Sequence, residues 1–167
     1  YYNRRWKIFH FLMNDLFIVL GNQLFHPKYF KDYKSSLFFL AEDFELCTYE
    51  KHHKQKITFF LSSMRSFKDE LNKGGYKVLY HKIEDKEFRD DYLKKLEKII
   101  RDKKIKKVNF FEIEDKPFEK KIITYLKKEK IDFKISKTPM FLSSRSDFSS
   151  YLTRSKKPFM ANFYKDQ

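Results

Sequence analysis

The stretch LFIVLGNQL, residues 16–24, places five apolar residues directly before a glycine and two amide side chains. A continuous apolar run of this length, ended by a turn residue, predicts a strand that is buried on both faces, as strands of a parallel sheet are. A second run of the same form, Leu37 to Ala41, ends at the acidic pair Glu42-Asp43. These two runs predict two buried strands in succession.

The remaining sequence alternates short β-rich runs with longer segments of helical periodicity. Three more strands are predicted at Tyr76 to His81, Lys107 to Glu112 and Ile131 to Ser136. Apolar residues three and four apart predict helices over Tyr49 to Asn72 and over Asp91 to Asp102, and a third helix from Pro117 through Leu126. We therefore expect an α/β, Rossmann-like fold, with an open five-stranded parallel sheet and helices on both faces.

Composition is consistent with one domain. A chain of 167 residues, 41% of them hydrophobic, can organise one core, and three Gly and four Pro argue against a low-complexity chain. His10, Asn14 and Asp15 interrupt the first apolar run, which excludes a signal peptide or a membrane span there. We expect residues 1–12 to be a non-native or disordered extension and residues 13–167 to form the domain, a monomer that is not bound to membranes.

Cys47 is the only cysteine. An internal disulfide is therefore excluded, and so is an iron–sulfur cluster with four cysteine ligands from this chain alone. A cytoplasmic location suits this composition. A nucleophilic role for Cys47 is disfavoured against that of a small core residue, because no base is positioned beside it in the sequence.

The net charge of +14, with many aromatic residues, raises the hypothesis of a nucleic-acid-binding module. Its main feature is the basic stretch Lys94 to Lys107. We favour a solvated helix face for this stretch, and codon usage as the source of the excess of Lys over Arg.

Ligands of an open parallel sheet bind beyond the carboxyl ends of its strands. That rule selects the loop Gly21 to Leu24 after the first strand, Glu42 after the second, and Glu112 after the fourth, with Asp43, Glu114 and Asp115 nearby. Gly21 would let a flat ligand approach the backbone, and Tyr49 could stack on its ring. A planar heterocycle suits this set. The alternative is that Gly21 is only a turn residue and Tyr49 only covers the core.

Two other kinds of site are disfavoured. Neither GxGxxG nor GxxxxGK[ST] follows the first strand, so no nucleotide-phosphate motif is present. Adjacent residues on a helix point about 100° apart, which makes His52-His53 a helix-start pair rather than a metal site.

Five segments of the chain match, in order, motifs that occur together in one known protein family. GNQL at Gly21 to Leu24 is similar to its G-D-Q-L, and YEKHHKQKI at Tyr49 to Ile57 to its Y-x-x-H-H-K-x-K-I. SSMRSFKDEL at Ser62 to Leu71 is similar to S-A-M-R-x-F-x-x-E-L. MFLSSRSDF at Met140 to Phe148 resembles F-L-x-S-x-x-E-F, and RSKKPFMANFYKDQ at Arg154 to Gln167 resembles R-K-x-L-R-M-x-x-F-Y-R.

Together the five motifs resemble those of the iron–sulfur (6-4) photolyase-related group of the cryptochrome/photolyase family. The resemblance implies a Rossmann-like N-terminal domain that holds an antenna chromophore, a ribityl-lumazine in relatives, and passes excitation energy to a flavin. It implies that FAD, a 4Fe-4S cluster and damaged DNA are handled by a C-terminal helical domain absent from this chain. The parent would then be a light-dependent DNA repair lyase, a deoxyribodipyrimidine (6-4) photolyase, and this portion alone would not be catalytic. A cryptochrome-like blue-light photoreceptor is the alternative, which these residues do not separate from repair.

The chromophore-binding set implied by the resemblance and by strand position consists of Gly21, Asn22, Gln23, Leu24, Glu42, Leu46, Tyr49 and Glu112. Two of these depart from the family pattern. Asn22 stands where the family commonly has Asp, and Leu46 stands where some relatives have a carboxylate that contacts the antenna. The identity of the antenna therefore stays open.

Overall fold

A computed structural model of the chain describes residues 14–165. Its strands are β1 (Asp15–Ile18), β2 (Leu37–Ala41), β3 (Lys77–His81), β4 (Lys107–Phe111) and β5 (Asp132–Ser136). All neighbours pair in parallel, in the order β3-β2-β1-β4-β5. The predicted five-stranded parallel sheet is confirmed, while the expectation for residues 1–12 falls outside the described part of the chain.

The helices follow the strands in the predicted alternation. They are α1 (Phe44–Thr48), α2 (Lys54–Lys73), α3 (Tyr92–Lys103), α4 (Lys116–Lys128), α5 (Arg145–Arg154) and α6 (Met160–Lys165). A 3₁₀ helix, Pro27–Tyr33, joins β1 to β2, and another, Lys86–Arg89, precedes α3. None of the helices within residues 14–165 combines the length and the apolar character that a membrane crossing requires.

The long helix begins later than the sequence predicts. Tyr49 lies at the end of the short helix α1, and α2 starts only at Lys54. The cause is His53, whose extended backbone and Nδ1 atom cap α2 by accepting a hydrogen bond from the Gln55 N–H at 3.2 Å. The histidine pair therefore stands at a helix start, as predicted, but the helix does not include Tyr49.

Alternate side chains of the strands feed two apolar cores, one on each face of the sheet. Leu16 and Ile18 of β1 lie in the core that α3 and α4 cover. Phe17 and Val19 lie in the opposite core, which α2 covers through residues such as Phe67. Because helices pack on both faces, the three central strands β1, β2 and β4 are buried on both sides, which explains their apolar runs. The edge strands β3 and β5 are less buried.

Arg145 fastens the C-terminal helices to the end of β4. Its guanidinium donates to Glu119 Oε1 at 2.9 Å and to the backbone oxygen of Ile113 at 2.6 Å. Ser144, just before it, caps α5 through a reciprocal pair of hydrogen bonds with Asp147. The Arg145 bonds hold the start of α5 beside Ile113 and Glu119, next to the carboxyl end of β4.

Candidate functional site

A cleft of about 610 Å³ opens at the carboxyl ends of β1, β2 and β4. The strand order reverses between β1 and β4, which is where open α/β sheets bind ligands. Its walls are largely apolar and include Leu20, Ala41, Ile57, Phe60, Ile113 and Phe118. The cleft therefore draws residues from the strand ends and from the helices on both faces of the sheet.

Part of the predicted binding set meets in this cleft. Gly21, Asn22, Leu46 and Tyr49 line it. The ring of Tyr49 is 66% exposed and packs edge-on against His52, with centroids 5.0 Å apart. Tyr49 therefore does not cover the core, and its ring is available to a ligand.

The close packing of α2 explains why residue 21 is a glycine. A Cβ atom at Gly21 would lie 2.5 Å from the Phe60 ring and 2.9 Å from Met64 Sδ. Contacts this short do not occur in folded proteins, so any larger residue must displace the ring. Phe60 itself lines the cleft, and Gly21 therefore sets the position of one wall.

We expect Gly21→Ala to destabilise the protein by about 1–3 kcal/mol, as overpacking of a core does. The Phe60 ring would be pushed away from β1, and the cleft would change shape. Thermal denaturation of the variant checks this. The double variant Gly21→Ala/Phe60→Ala is the control, since without the ring the added methyl group should cost much less than in the wild-type background. Additive effects would contradict the assignment.

Three predicted residues join the loops around the cleft without lining it. Gln23 is fully buried, and its Nε2 donates to the backbone oxygen of Glu112 at 2.9 Å. The Glu112 carboxylate accepts from the Thr138 N–H at 3.2 Å, and Leu24 packs against the core under α2. Their direct binding of a ligand stays a prediction.

Glu42 is also predicted to bind, and it too lies outside the lining. Its carboxylate is fully buried and accepts from Arg65 Nε at 2.6 Å, from Arg65 Nη2 at 2.9 Å, from the Tyr80 hydroxyl at 2.8 Å and from the Ile83 N–H at 2.8 Å. Burial alone would raise the pKa of Glu42, but the hydrogen bonds from Arg65, Tyr80 and Ile83 outweigh it and lower that pKa. Glu42 thus ties the end of β2 to α2 and β3.

The short helix α1 forms one side of the cleft through Glu45, Leu46 and Cys47. A helix this short is not stable alone. Asp43 caps it, because its Oδ1 accepts from the Leu46 N–H at 3.3 Å. The other carboxylate oxygen, Oδ2, binds the fully buried Lys95 Nζ at 2.8 Å.

The basic residues of the stretch Lys94 to Lys107 are solvent-exposed, as predicted, with the exception of Lys95. Its ammonium group is buried between Asp43 and the backbone oxygen of Phe88, at 3.0 Å. Elsewhere in the stretch Lys98 pairs with Glu87. Lys95 lies on the apolar stripe of α3 with Leu96 and Ile99. This helical spacing is the sequence signal that could have predicted the burial of Lys95.

The cleft rim is polar. Asn22 Nδ2 donates to Glu114 Oε2 at 3.0 Å, and Asp115, His52 and Lys56 complete the rim. Among residues 14–165, no three His, Cys, Asp or Glu side chains are grouped to hold a metal ion.

Cys47 lies in the cleft wall rather than in the core, half-buried. Burial, and then the charges of Asp43 and Glu42, raise the pKa of the Cys47 thiol. A thiol held in its protonated form is a poor nucleophile at neutral pH. The arrangement therefore suits a wall residue and not a catalytic one.

Comparison with known proteins places this architecture in a family. A family model described as deoxyribodipyrimidine photo-lyase-related protein matches residues 17–167. The (6-4) photolyase of Agrobacterium fabrum (strain C58 / ATCC 33970) is 28% identical over 158 residues, an alignment that covers 92% of this chain and 31% of that protein. The chain thus spans less than a third of the length of this relative. On the extent of the family match, together with the fold, the chain belongs to the deoxyribodipyrimidine photo-lyase-related protein family.

Proposed function

We propose that the cleft at the strand ends binds a planar heteroaromatic antenna chromophore of the ribityl-lumazine type, within a light-dependent DNA repair lyase. The observation that carries the proposal is the cleft itself. It is apolar-walled, about 610 Å³ in volume, and lies at the point where the strand order reverses. Small-molecule sites typically measure about 300–1,000 Å³, with mostly apolar walls and a few polar groups.

The residues present suit a flat ring system. Leu20, Ile57 and Phe60 offer apolar contacts, and the exposed ring of Tyr49 offers a stacking surface at the mouth. Asn22 offers an amide at the rim. Leu46 does not supply the carboxylate that some relatives have there, but its neighbour Glu45 also lines the cleft and places a carboxylate on the same helix.

In this proposal the chain binds and orients the chromophore and shields it from water. A bound lumazine would absorb light and pass the excitation energy to a flavin. The flavin, a 4Fe-4S cluster and damaged DNA would be held by the part of the parent protein that corresponds to the remainder of the (6-4) photolyase, beyond the 31% that this chain spans.

Exposed apolar side chains near the C-terminal end of the described residues support contact with such a further part of the parent protein. Large apolar side chains are exposed from Phe141, at 54%, to Tyr164, at 69%, and they include Leu142, Phe159 and Met160. More than half of the exposed large apolar side chains of the described residues fall in this part of the sequence, and exposed apolar patches mark interaction surfaces. We propose that this surface, residues 141–164, contacts the helical domain. Sequencing the coding region downstream of Gln167 is a direct check: a helical extension with four cysteines is expected, and a stop codon there would contradict the proposal.

Binding is tested by fluorescence titration of the chain with ribityl-lumazine and with flavin mononucleotide. We expect saturable lumazine binding that Tyr49→Ala weakens roughly two- to tenfold. Aromatic stacking contributes about 0.5–1.5 kcal/mol of binding free energy beyond the effect of the buried surface area. Lys103→Ala, on α3 and outside the cleft lining, is the control and should bind as the wild type does.

If the wild type binds neither compound at high micromolar concentration, the family departures are tested next. Asn22→Asp/Leu46→Glu should then restore lumazine binding. Failure of this double variant as well would contradict antenna binding by the domain.

A further inference from the structure

Two buried polar side chains, Asp43 and Tyr92, are among the residues that line the cleft. Both carboxylate oxygens of Asp43 have partners, namely the Leu46 N–H and Lys95 Nζ. The Tyr92 hydroxyl has no partner among the described residues, and it is closed to solvent. Of these two buried side chains, only Tyr92 therefore has a polar group without a hydrogen-bond partner among the described residues.

The Tyr92 ring is held in place from two sides. Its centroid lies 5.7 Å from that of Phe39 and 5.3 Å from that of Phe118, which packs edge-on to it. Tyr92 is also the first residue of α3, directly after the capping residue Asp91. Phenylalanine would make the same ring contacts, so the hydroxyl is the one part of the side chain that has no hydrogen-bonding role among residues 14–165.

A buried hydroxyl without a partner lowers stability, and such groups in native proteins call for an explanation. Burial, and after it the charge of Asp43, raise the pKa of Tyr92 well above its ordinary value. The hydroxyl therefore keeps its proton at neutral pH. What it lacks is a hydrogen-bond acceptor, and the cleft is the open space that the side chain borders.

We propose that the Tyr92 hydroxyl determines the specificity of the cleft by donating a hydrogen bond to a ring carbonyl oxygen or ring nitrogen on the inner edge of the ligand. This inference rests on the proposed function and narrows it to oxo-substituted fused nitrogen heterocycles. Because the hydroxyl is closed to solvent, binding includes a small rearrangement of the cleft wall that brings it into contact with the ligand. A carbocyclic ring of the same size would fill the cleft and leave the hydroxyl without a partner.

The test is Tyr92→Phe, which removes only the hydroxyl. We expect its affinity for ribityl-lumazine to fall about three- to tenfold, the range expected for one hydrogen bond. Its affinity for a naphthalene derivative without ring acceptors should be unchanged. The melting temperature of the ligand-free variant should stay equal or rise, because an unpartnered buried group is gone.

Tyr125→Phe is the matched control. Tyr125 lies on α4, is partly buried and does not line the cleft, so this variant should bind both compounds as the wild type does.

The outcomes separate this inference from the proposed function. Equal lumazine affinity of wild type and Tyr92→Phe would overturn the inference and leave antenna binding standing. A clear fall in the melting temperature of ligand-free Tyr92→Phe would also overturn it, since the hydroxyl would then have a partner within the protein. If neither the wild type nor the Asn22→Asp/Leu46→Glu variant binds a heterocycle, both the inference and the proposed function are overturned.

Discussion

Replacing Lys95 by methionine is expected to lower the free energy of unfolding by about 3–5 kcal/mol, the largest effect of any single substitution considered for this chain. The Lys95 ammonium is fully buried, and it donates to Asp43 Oδ2 at 2.8 Å and to the Phe88 backbone oxygen at 3.0 Å. Its removal leaves the Asp43 carboxylate buried without a counter-charge. Urea denaturation measures the loss directly.

The matched control is Lys98→Met, on the same helix. The Lys98 side chain is 48% exposed and pairs with Glu87 at the surface, so its replacement should change stability by no more than about 1 kcal/mol. The double variant Asp43→Asn/Lys95→Met should recover part of the loss, because no charge is then left buried. Equal effects of Lys95→Met and Lys98→Met would contradict the buried pair.

Replacing Glu42 by glutamine should cost about 2–3 kcal/mol at neutral pH. Four hydrogen bonds converge on this buried carboxylate from Arg65, Tyr80 and Ile83. A glutamine amide offers one acceptor oxygen and opposes donors with its own N–H groups. Arg65 is 40% exposed and regains water, which keeps the loss below that of Lys95→Met.

The same substitution should change how stability depends on pH. Because the folded protein lowers the pKa of Glu42 below its ordinary value of 4.5, this carboxylate contributes stability fully above that value. The contribution is lost as the pH falls through the lower pKa of the folded state. Wild-type stability should therefore decline on acidification below about pH 5, and Glu42→Gln should decline less over the same interval.

Glu84→Gln is the control for this pH experiment. Glu84 is 61% exposed and contacts the same Arg65 only at 3.5 Å. Its variant should follow the wild-type pH curve. Parallel curves for Glu42→Gln and wild type would show that Glu42 does not keep the low pKa assigned to it.

The sheet could be predicted from sequence because its three central strands are buried on both faces. Runs such as Leu37 to Ala41 are apolar throughout, a pattern that is typical of strands covered on both faces.

The helix boundaries are harder to predict from sequence than the strands. The start of α2 depends on the cap formed by His53, and α1 ends at Thr48, just before Tyr49. The spacing of apolar residues reveals neither boundary.

Position along a strand predicted one part of the site, and the family resemblance predicted another, since Leu46 and Tyr49 line the cleft. Gly21 and Asn22 directly follow β1, so the rule for strand ends locates them in the cleft. Tyr92 comes from α3, far along the chain, and reaches the cleft only through packing across the sheet. Lys95, on the same helix, does not line the cleft and acts on it only through the cleft residue Asp43. Glu42 obeys the positional rule, yet its carboxylate turns to Arg65, because a buried charge requires a partner.

Cys47 offers the most direct test of whether the cleft beside Gly21 and Tyr49 is the ligand site. Cys47 is the only cysteine of the chain and lines the cleft, so its alkylation, followed by mass spectrometry, reports on this place alone. We expect ribityl-lumazine to slow the alkylation of Cys47 in proportion to the occupancy measured by fluorescence. Lumazine that binds without changing the alkylation rate would place the site elsewhere and contradict the claim.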